Sequence, residues 1–350
     1  MVDPYAGLAH VHQTPCYDLL VSLRALFNPR TYDATRAWAA AARKQLTPEG
    51  EARGRFFFQG HDTSLGYGVT RLVAGLPQGA QPAALIEAVR SADTETLGLL
   101  MLDTDVTSDE ARAAFSQALR GKATGRAIDR ALKDEPAGWS KVCRRVLADP
   151  AWAQAELVLL LEEHLIAIFA SEVEHVTAAI EAGARRAEEL VAVVPTVVAI
   201  EQLAGGYTIS PNLSLSRITL APSAFIHPFV ATRLDERSGE ALIVFGAPSD
   251  SLERFDAVRI DPDLLKAVKA LGDPRRLKLL RLLAQGPLTS TKLQSVVGLS
   301  AATVHHHLHQ LRASGLVRQE RTKGGMQYTI RRDSATELLA ALTRLILDPD

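Results

Sequence analysis

Cysteine is scarce in this chain, with only Cys16 and Cys143 among 350 residues. Two thiols this far apart form no disulfide framework and no paired CxxC module; they fit a reducing, cytoplasmic setting and read as small buried hydrophobes. Long apolar runs are missing too. The run from Leu157 is broken by Glu162, Glu163 and His164, and Leu190 to Ile200 is too short to span a bilayer and contains Pro195. The opening MVDPYAGLAH lacks a basic segment followed by an apolar one, so neither a secretory leader nor a membrane partner is expected. Reaction chemistry has no signature: there is no glycine-rich phosphate loop after a strand, no G-x-S-x-G elbow and no H-E-x-x-H. The expectation is a chain that is not an enzyme and carries no cofactor.

What is present is an ordinary globular composition, 47% hydrophobic and 23% charged, at a length that calls for two or three domains. The net charge of −1 hides an asymmetry. From Asp261 onward there are 14 Lys plus Arg against 8 Asp plus Glu; the remainder carries 25 against 32. The positive end is the candidate for nucleic acid, and the acidic remainder is not.

Within that positive end, Thr289 to Ile330 has the order of parts of a DNA reader. Leu293, Val296 and Val297 mark the buried side of a first helix, Gly298 suits its end, and Ser300 suits the N-cap of a second. In the second helix Val304, Leu308 and Leu311 repeat at i, i+4, i+7 and face the core. Ala302, Thr303, His306, His309 and Gln310 then point away and are candidates to enter a groove. After Gly315 the period changes. Leu316 to Arg321 and Met326 to Arg331 read as strands joined by Thr322-Lys323-Gly324-Gly325, a hairpin made basic by Arg318, Arg321, Lys323, Arg331 and Arg332. Such a wing suits phosphates and the adjacent minor groove.

With KALGDPRRLKLLRLL ahead of it, the stretch Leu264 to Ile330 resembles the ArsR/SmtB-type winged helix. The resemblance covers about a quarter of the chain. It implies a bacterial transcriptional regulator, usually a repressor, that binds double-stranded DNA as a homodimer and releases it when an effector binds. The candidate DNA-binding set is Ser290, Thr291, Lys292, Ser300, Ala302, Thr303, His305, His306, His309, Gln310, Arg312, Arg318, Arg321 and Lys323. His306 and His307 match the family's recognition-helix pattern, whereas His305 stands where a Ser is common. The family's thiolate metal site would fall near Thr291 to Val296, where there is no Cys, and its second site within Ser334 to Leu347, where Glu337 is the sole plausible ligand. Metal sensing is therefore not expected. His305 and His309 are one helical turn apart, a spacing that can chelate zinc, but the remaining ligands are not evident. Apolar faces on Pro262 to Leu271 and Ser334 to Leu347, with Leu338, Leu342, Leu345 and Ile346 central in the latter, are the expected dimer contacts.

The fold expected is mainly α with α+β parts. Residues 1–194 read as an α-helical domain, with start signals at Thr31, Thr47-Pro48 and Asp149-Pro150; Ala151 to Val194 forms one long helix or two. Residues 195–247 read as a small antiparallel β segment built from TVVAIEQL, GGYTI, LSLSRITLA, FVATRL and EALIVFG. Residues 248–261 read as a linker and 262–350 as the winged helix-turn-helix. His164 and His175, among Glu162, Glu163, Glu172 and Glu174, read as a solvated, ion-paired face; His61-Asp62 reads as a cap or turn. The series Arg24, Arg30, Arg36 gives no helical stripe. Three functions compete. A dimeric repressor whose N-terminal region senses a non-metal small-molecule effector or mediates assembly is preferred; the others are an enzyme or ligand-binding domain fused to a DNA reader and an effector-independent, partner-recruiting factor.

Overall fold

Thr47, Asp149, Asp273, Thr289 and Ser300 each stand before a helix and each accepts a hydrogen bond from a backbone N–H of its first turn. These side chains satisfy donors that the helix itself leaves unpaired. The structure, a computed structural model, describes residues 3–29, 32, 35–59, 65–102, 109–122, 125–133, 137–227, 229–235, 238–247, 262–322 and 325–347. Thr31, Arg30, His61-Asp62, Lys323 and the expected linker at 248–261 lie outside them.

Strand β1 (Ala9–Val11) precedes a run of helices: α1 (Cys16–Phe27), α2 (Arg36–Ala42), α3 (Pro48–Phe58), α4 (Leu65–Gly68), α5 (Thr70–Ala74), α6 (Pro82–Ser91), α7 (Thr94–Leu102), α8 (Asp109–Leu119), α9 (Gly125–Ala131), α10 (Ala137–Ala148), α11 (Pro150–Ala167), α12 (Val173–Val193) and α13 (Thr196–Leu203). Helix α1 is the hub, since every residue in it but Arg24 is buried. A helix apolar all round must be surrounded. The breaker-free stretch after Pro150 is two helices, α11 and α12. Cys16 and Cys143 are both buried, as expected of small hydrophobes. His164 departs from the solvated face expected of it: it is fully buried, with Nε2 2.8 Å from the Ser22 hydroxyl. Its neighbours do pair at the surface, Glu162 with Arg90 and Glu163 with Arg53.

Strands β2 (Tyr207–Ile209), β3 (Arg217–Ser223), β4 (Val230–Asp235) and β5 (Glu240–Gly246) match four of the five expected runs. The fifth, TVVAIEQL, is helix α13. Its buried residues are Thr196, Ala199, Ile200 and Leu203, the i, i+3, i+4, i+7 pattern of a helix, and that periodicity overrides its β-branched composition. The sheet is also not the antiparallel one expected. Its order is β1-β3-β5-β4, with β1–β3 and β3–β5 parallel and β4–β5 antiparallel. One face, with Ala221, Leu242 and Val244, joins the core around α1; the other, with Ile218, Leu220, Ile243 and Phe245, packs with Ala187 of α12 and Ile200 of α13. Both faces are covered, as parallel sheets require. Buried Asp18 ties α1 to this sheet by accepting from the Ser223 hydroxyl and the Ala224 and Phe225 amides.

The C-terminal part comprises α14 (Pro262–Leu271), α15 (Pro274–Leu283), β6 (Leu288–Thr289), α16 (Ser290–Val297), α17 (Ala301–Ala313), β7 (Val317–Thr322), β8 (Gly325–Ile330) and α18 (Arg332–Leu347). Its core unites Leu279, Leu283, Leu293, Val304, Leu308, Leu311 and Val317. β2 does not join its neighbours in sequence. It pairs in parallel with β7, giving a second sheet of order β2-β7-β8-β6. Among the described residues no helix is long and apolar enough to cross a membrane.

Candidate nucleic-acid interface

Helix α16 ends at Gly298, whose φ of 70° provides the left-handed turn that a side chain resists. Two residues later the Ser300 hydroxyl accepts from the Thr303 amide at 3.2 Å and starts α17. The α17 stripe is as the periodicity required, with Val304, Leu308 and Leu311 buried. β7 and β8 form an antiparallel hairpin closed from Thr322 to Gly325.

The outward face of α17 divides into two halves. Ala302, His305 and His306 in the N-terminal half are exposed and Thr303 is half-buried; Thr291, Lys292 and Ser300 are exposed beside them, with Ser290 half-buried. This patch is open, polar and next to a helix N-terminus, where unpaired amides and the helix dipole favour an anion such as phosphate. The family model for "Bacterial regulatory protein, arsR family" matches residues 273–319, spanning both helices and the start of the wing. Over 76 residues, 21% of this chain and 77% of the other, the sequence is 33% identical to the HTH-type transcriptional regulator YgaV of Escherichia coli (strain K12). The chain belongs to the ArsR family of bacterial regulatory proteins.

Two solved structures are also similar. One is the homodimeric winged helix-turn-helix DNA-binding domain (fragment 1-100) of Mb0332 from Mycobacterium bovis, 25% identical, covering 27% of this chain and 94% of that one at a TM-score of 0.22. The other is reduced HlyU from Vibrio cholerae N16961, 28% identical, covering 25% and 90% at a TM-score of 0.20. On the family match and the relative from Escherichia coli, the C-terminal part of this ArsR-family protein is a DNA-binding winged helix of a transcriptional regulator.

The C-terminal half of its α17 also points away from the Val304, Leu308 and Leu311 stripe, but it meets the N-terminal region and not open solvent. His309 stacks on Phe229, with ring centroids 4.1 Å apart, and Gln310 is half-buried. Arg312 is 3% exposed and donates to the Ala204 carbonyl at 3.1 Å. The cause is the N-terminal region, which covers this side of the helix. The wing is held as well. Arg318 meets the Glu201 carboxylate at 2.8 Å and Arg331 lies 3.5 Å from it, so one acidic side chain of α13 faces two of the wing's cations. Arg332 donates to the Ala284 carbonyl at 2.7 Å, and Arg321 is half-buried with its carbonyl accepting from the Ser210 amide. At the joint between α13 and β2, Gly206 takes a φ of 87°; a Cβ there would stand 3.1 Å from the Val317 carbonyl oxygen. Glu201, Ala204 and Phe229 were not among the residues singled out in sequence, and no local signal marks them.

Burial, reinforced by Arg312, Arg24 and His306, holds the His309 pKa well below its ordinary value, so this ring is neutral where it packs. His307, buried 3.9 Å from the Asp273 carboxylate, is also lowered by burial, with Asp273 opposing. His305 is exposed, whereas His309 packs on Phe229. On the helix expected at a dimer contact, Leu338 lies in the reader's own core and Leu342 packs against it, whereas Leu345 and Ile346 are 43% and 68% exposed. Leu339 and Leu347 on the same helix, and Leu265 and Val268 on α14, are exposed too.

Proposed function

We propose that this protein is a dimeric, sequence-specific transcriptional repressor of the cytoplasm whose N-terminal region senses a non-metal effector and biases the reader. The supporting observation is the brace between the two parts: β2 paired on β7, Glu201 on Arg318 and Arg331, the Ala204 carbonyl on Arg312, and Phe229 on His309. A reader tied to its neighbour at both recognition helix and wing cannot keep its orientation if that neighbour rearranges. Lys266 of α14, 2.9 Å from His227, adds a further tie.

On this reading Ala302, Thr303, His305 and His306 enter the major groove, and Ser290, Thr291, Lys292 and Ser300 meet phosphates. His309, Gln310 and Arg312 belong to the brace rather than the groove. Two copies joined through the exposed apolar residues of α14 and α18 place two recognition helices about 34 Å apart on an inverted repeat. The chemistry is binding rather than turnover. An effector acts by favouring a second arrangement of the brace in which the half-sites no longer align, and it can shift the balance only by binding the two arrangements unequally.

Selection of bound DNA from a random pool by the full chain tests this. An enriched inverted repeat with half-sites one helical turn apart is expected, and His306→Ala should relax preference within each half-site. Enrichment of no motif would defeat sequence-specific binding, and an unpaired half-site would defeat the dimer.

A further inference from the structure

The connection between β3 and β4 reaches the reader twice. Its start is held within the N-terminal region, where the buried Asp18 carboxylate of α1 accepts from the Ser223 hydroxyl and from the Ala224 and Phe225 amides. Its far end carries two contacts across the joint, His227 on Lys266 of α14 and Phe229 on His309 of α17. Each contact contains one imidazole, and the two come from opposite sides of the joint.

Both contacts need that imidazole neutral. Lys266 Nζ lies 2.9 Å from His227 Nε2. An ammonium has donors and no lone pair, so it meets this nitrogen only while the nitrogen keeps its own lone pair. A protonated His227 would turn an N–H and a positive charge toward the ammonium instead. The His309 ring lies 4.1 Å, centroid to centroid, from Phe229. A phenyl face attracts a cation, yet burial and the guanidiniums of Arg312 and Arg24 outweigh that attraction and hold the ring well below its ordinary value.

Among the described residues, the charged and titratable groups facing these rings are Lys266 and Asp263 for His227, and Arg312, Arg24 and His306 for His309. Of these Asp263 alone favours the imidazolium. Burial with Lys266 outweighs it, so His227 too is held below its ordinary value. The other ties of the brace, the β2–β7 pairing, the Ala204 carbonyl on Arg312 and Glu201 on the wing, come from the segment of α13 and β2 and involve no imidazole. Losing the two histidine contacts leaves the reader attached along that segment.

We infer that the β3–β4 connection is an acid-released clasp: protonation of His227 and His309 parts it from α14 and α17 and lets the reader pivot on the β2–β7 pairing. In the parted state both rings are solvated and titrate near the ordinary value of about 6.5, whereas the closed joint holds them lower. Parting therefore takes up protons as pH falls below about 6.5, and at pH 5.5 each ring favours the parted state by up to about tenfold. Asp18 titrates among partners that all belong to the N-terminal region, so its proton does not act across the joint.

Energy transfer between dyes at Glu188→Cys on α12 and Ser295→Cys on α16, both exposed sites, reads the joint in the full chain, since the native thiols are buried. Labelled protein is diluted into unlabelled copies to keep transfer within one chain, and circular dichroism follows the fold. Transfer should change reversibly between pH 7.5 and 5.5. In His227→Gln, whose amide oxygen still accepts from Lys266, and in His309→Phe, which keeps a ring on Phe229, the midpoint should move to lower pH. The double variant should not respond, and Lys266→Met, made from the other side of the contact, should respond less than the parent. A parent whose transfer is constant, or changes only with loss of the fold, overturns the clasp, as does a double variant that responds like the parent. Resting on the function proposed above, operator affinity over the same range should change by about fivefold or more in the parent relative to the double variant, the lower end of allosteric coupling; exposed His305 and His306 act equally in both. Equal pH dependence of DNA binding alongside a transfer change leaves the clasp standing and overturns its part in regulation.

Discussion

The ring of His309 is one of several ties between the two halves of this protein, and it packs on Phe229 with centroids 4.1 Å apart, so Phe229→Ala removes that contact and leaves a cavity. A loss of about 3 kcal/mol is expected in denaturant unfolding, the usual cost of deleting a buried phenyl group. The same variant should let His309 titrate closer to its ordinary value, because burial is the main cause that lowers it and the charges of Arg312, Arg24 and His306 are secondary; histidine NMR signals followed against pH report this directly. His164 gives a second test at this scale. Burial drives it from the ordinary 6.5 to about 3. Between those values the unfolded chain binds the extra proton, so the contribution is fully present above about 6.5 and is lost as pH falls toward 3. Asp18 acts in the opposite sense, since burial raises it to about 6 and its ionisation costs stability as pH rises from 3.8 through that value. The variant His164→Gln isolates the first effect, and its melting temperature should fall less between pH 6.5 and 4 than that of the parent. Gly68 is a packing test: a Cβ there would stand 1.9 Å from the Leu100 carbonyl oxygen, so Gly68→Ala should destabilise by roughly 1–3 kcal/mol in urea titration.

Among elements, α13 and β2 carry the brace. The periodicity of α13 was available in TVVAIEQL, where the buried positions follow a helical spacing, but β-branched composition pointed to a strand. The pairing of β2 with β7 was not available, because a three-residue strand carries no information about which edge it will meet. Glu201 on α13 opposes two wing cations, and removing its charge should free them for phosphates. Glu201→Gln is expected to tighten binding to all DNA sequences and to steepen the salt dependence, by about 0.9 in the log–log slope for each guanidinium recruited. Fluorescence anisotropy across a salt series measures both, and an unchanged slope would mean that Arg318 and Arg331 lie outside the DNA contact.

At the scale of the whole molecule, Leu339, Leu345, Ile346 and Leu347 on one helix, with Leu265 and Val268 on α14, are exposed, and the dimer proposed above joins through them. Ile346→Asp should give a monomer in sedimentation and weaken binding to a full inverted repeat by at least about tenfold, while sparing the reader's own core, to which Leu338 belongs. An Ile346→Asp protein that remains a tight dimer would place the interface elsewhere. The charge asymmetry has the same reach. The basic quarter holds the winged helix, and the acidic remainder contributes Glu201 to offset part of that charge from within the chain.

The reader was legible in the sequence because its determinants are local: two caps, a glycine in a left-handed turn, a stripe at helical spacing and a hairpin, each spanning a few residues. What the tertiary structure alone decided is which side of the recognition helix stays open. Helical spacing sorts inward from outward relative to one core, and it cannot say whether a second domain covers the other face. The groups that cover it, Ala204 on Arg312 and Glu201 on Arg318, lie 108 and 117 residues from their partners. Contacts over such separations follow from how the chain returns on itself, so His309 and Arg312, read in sequence as candidate groove contacts, meet Phe229 and Ala204 in the fold.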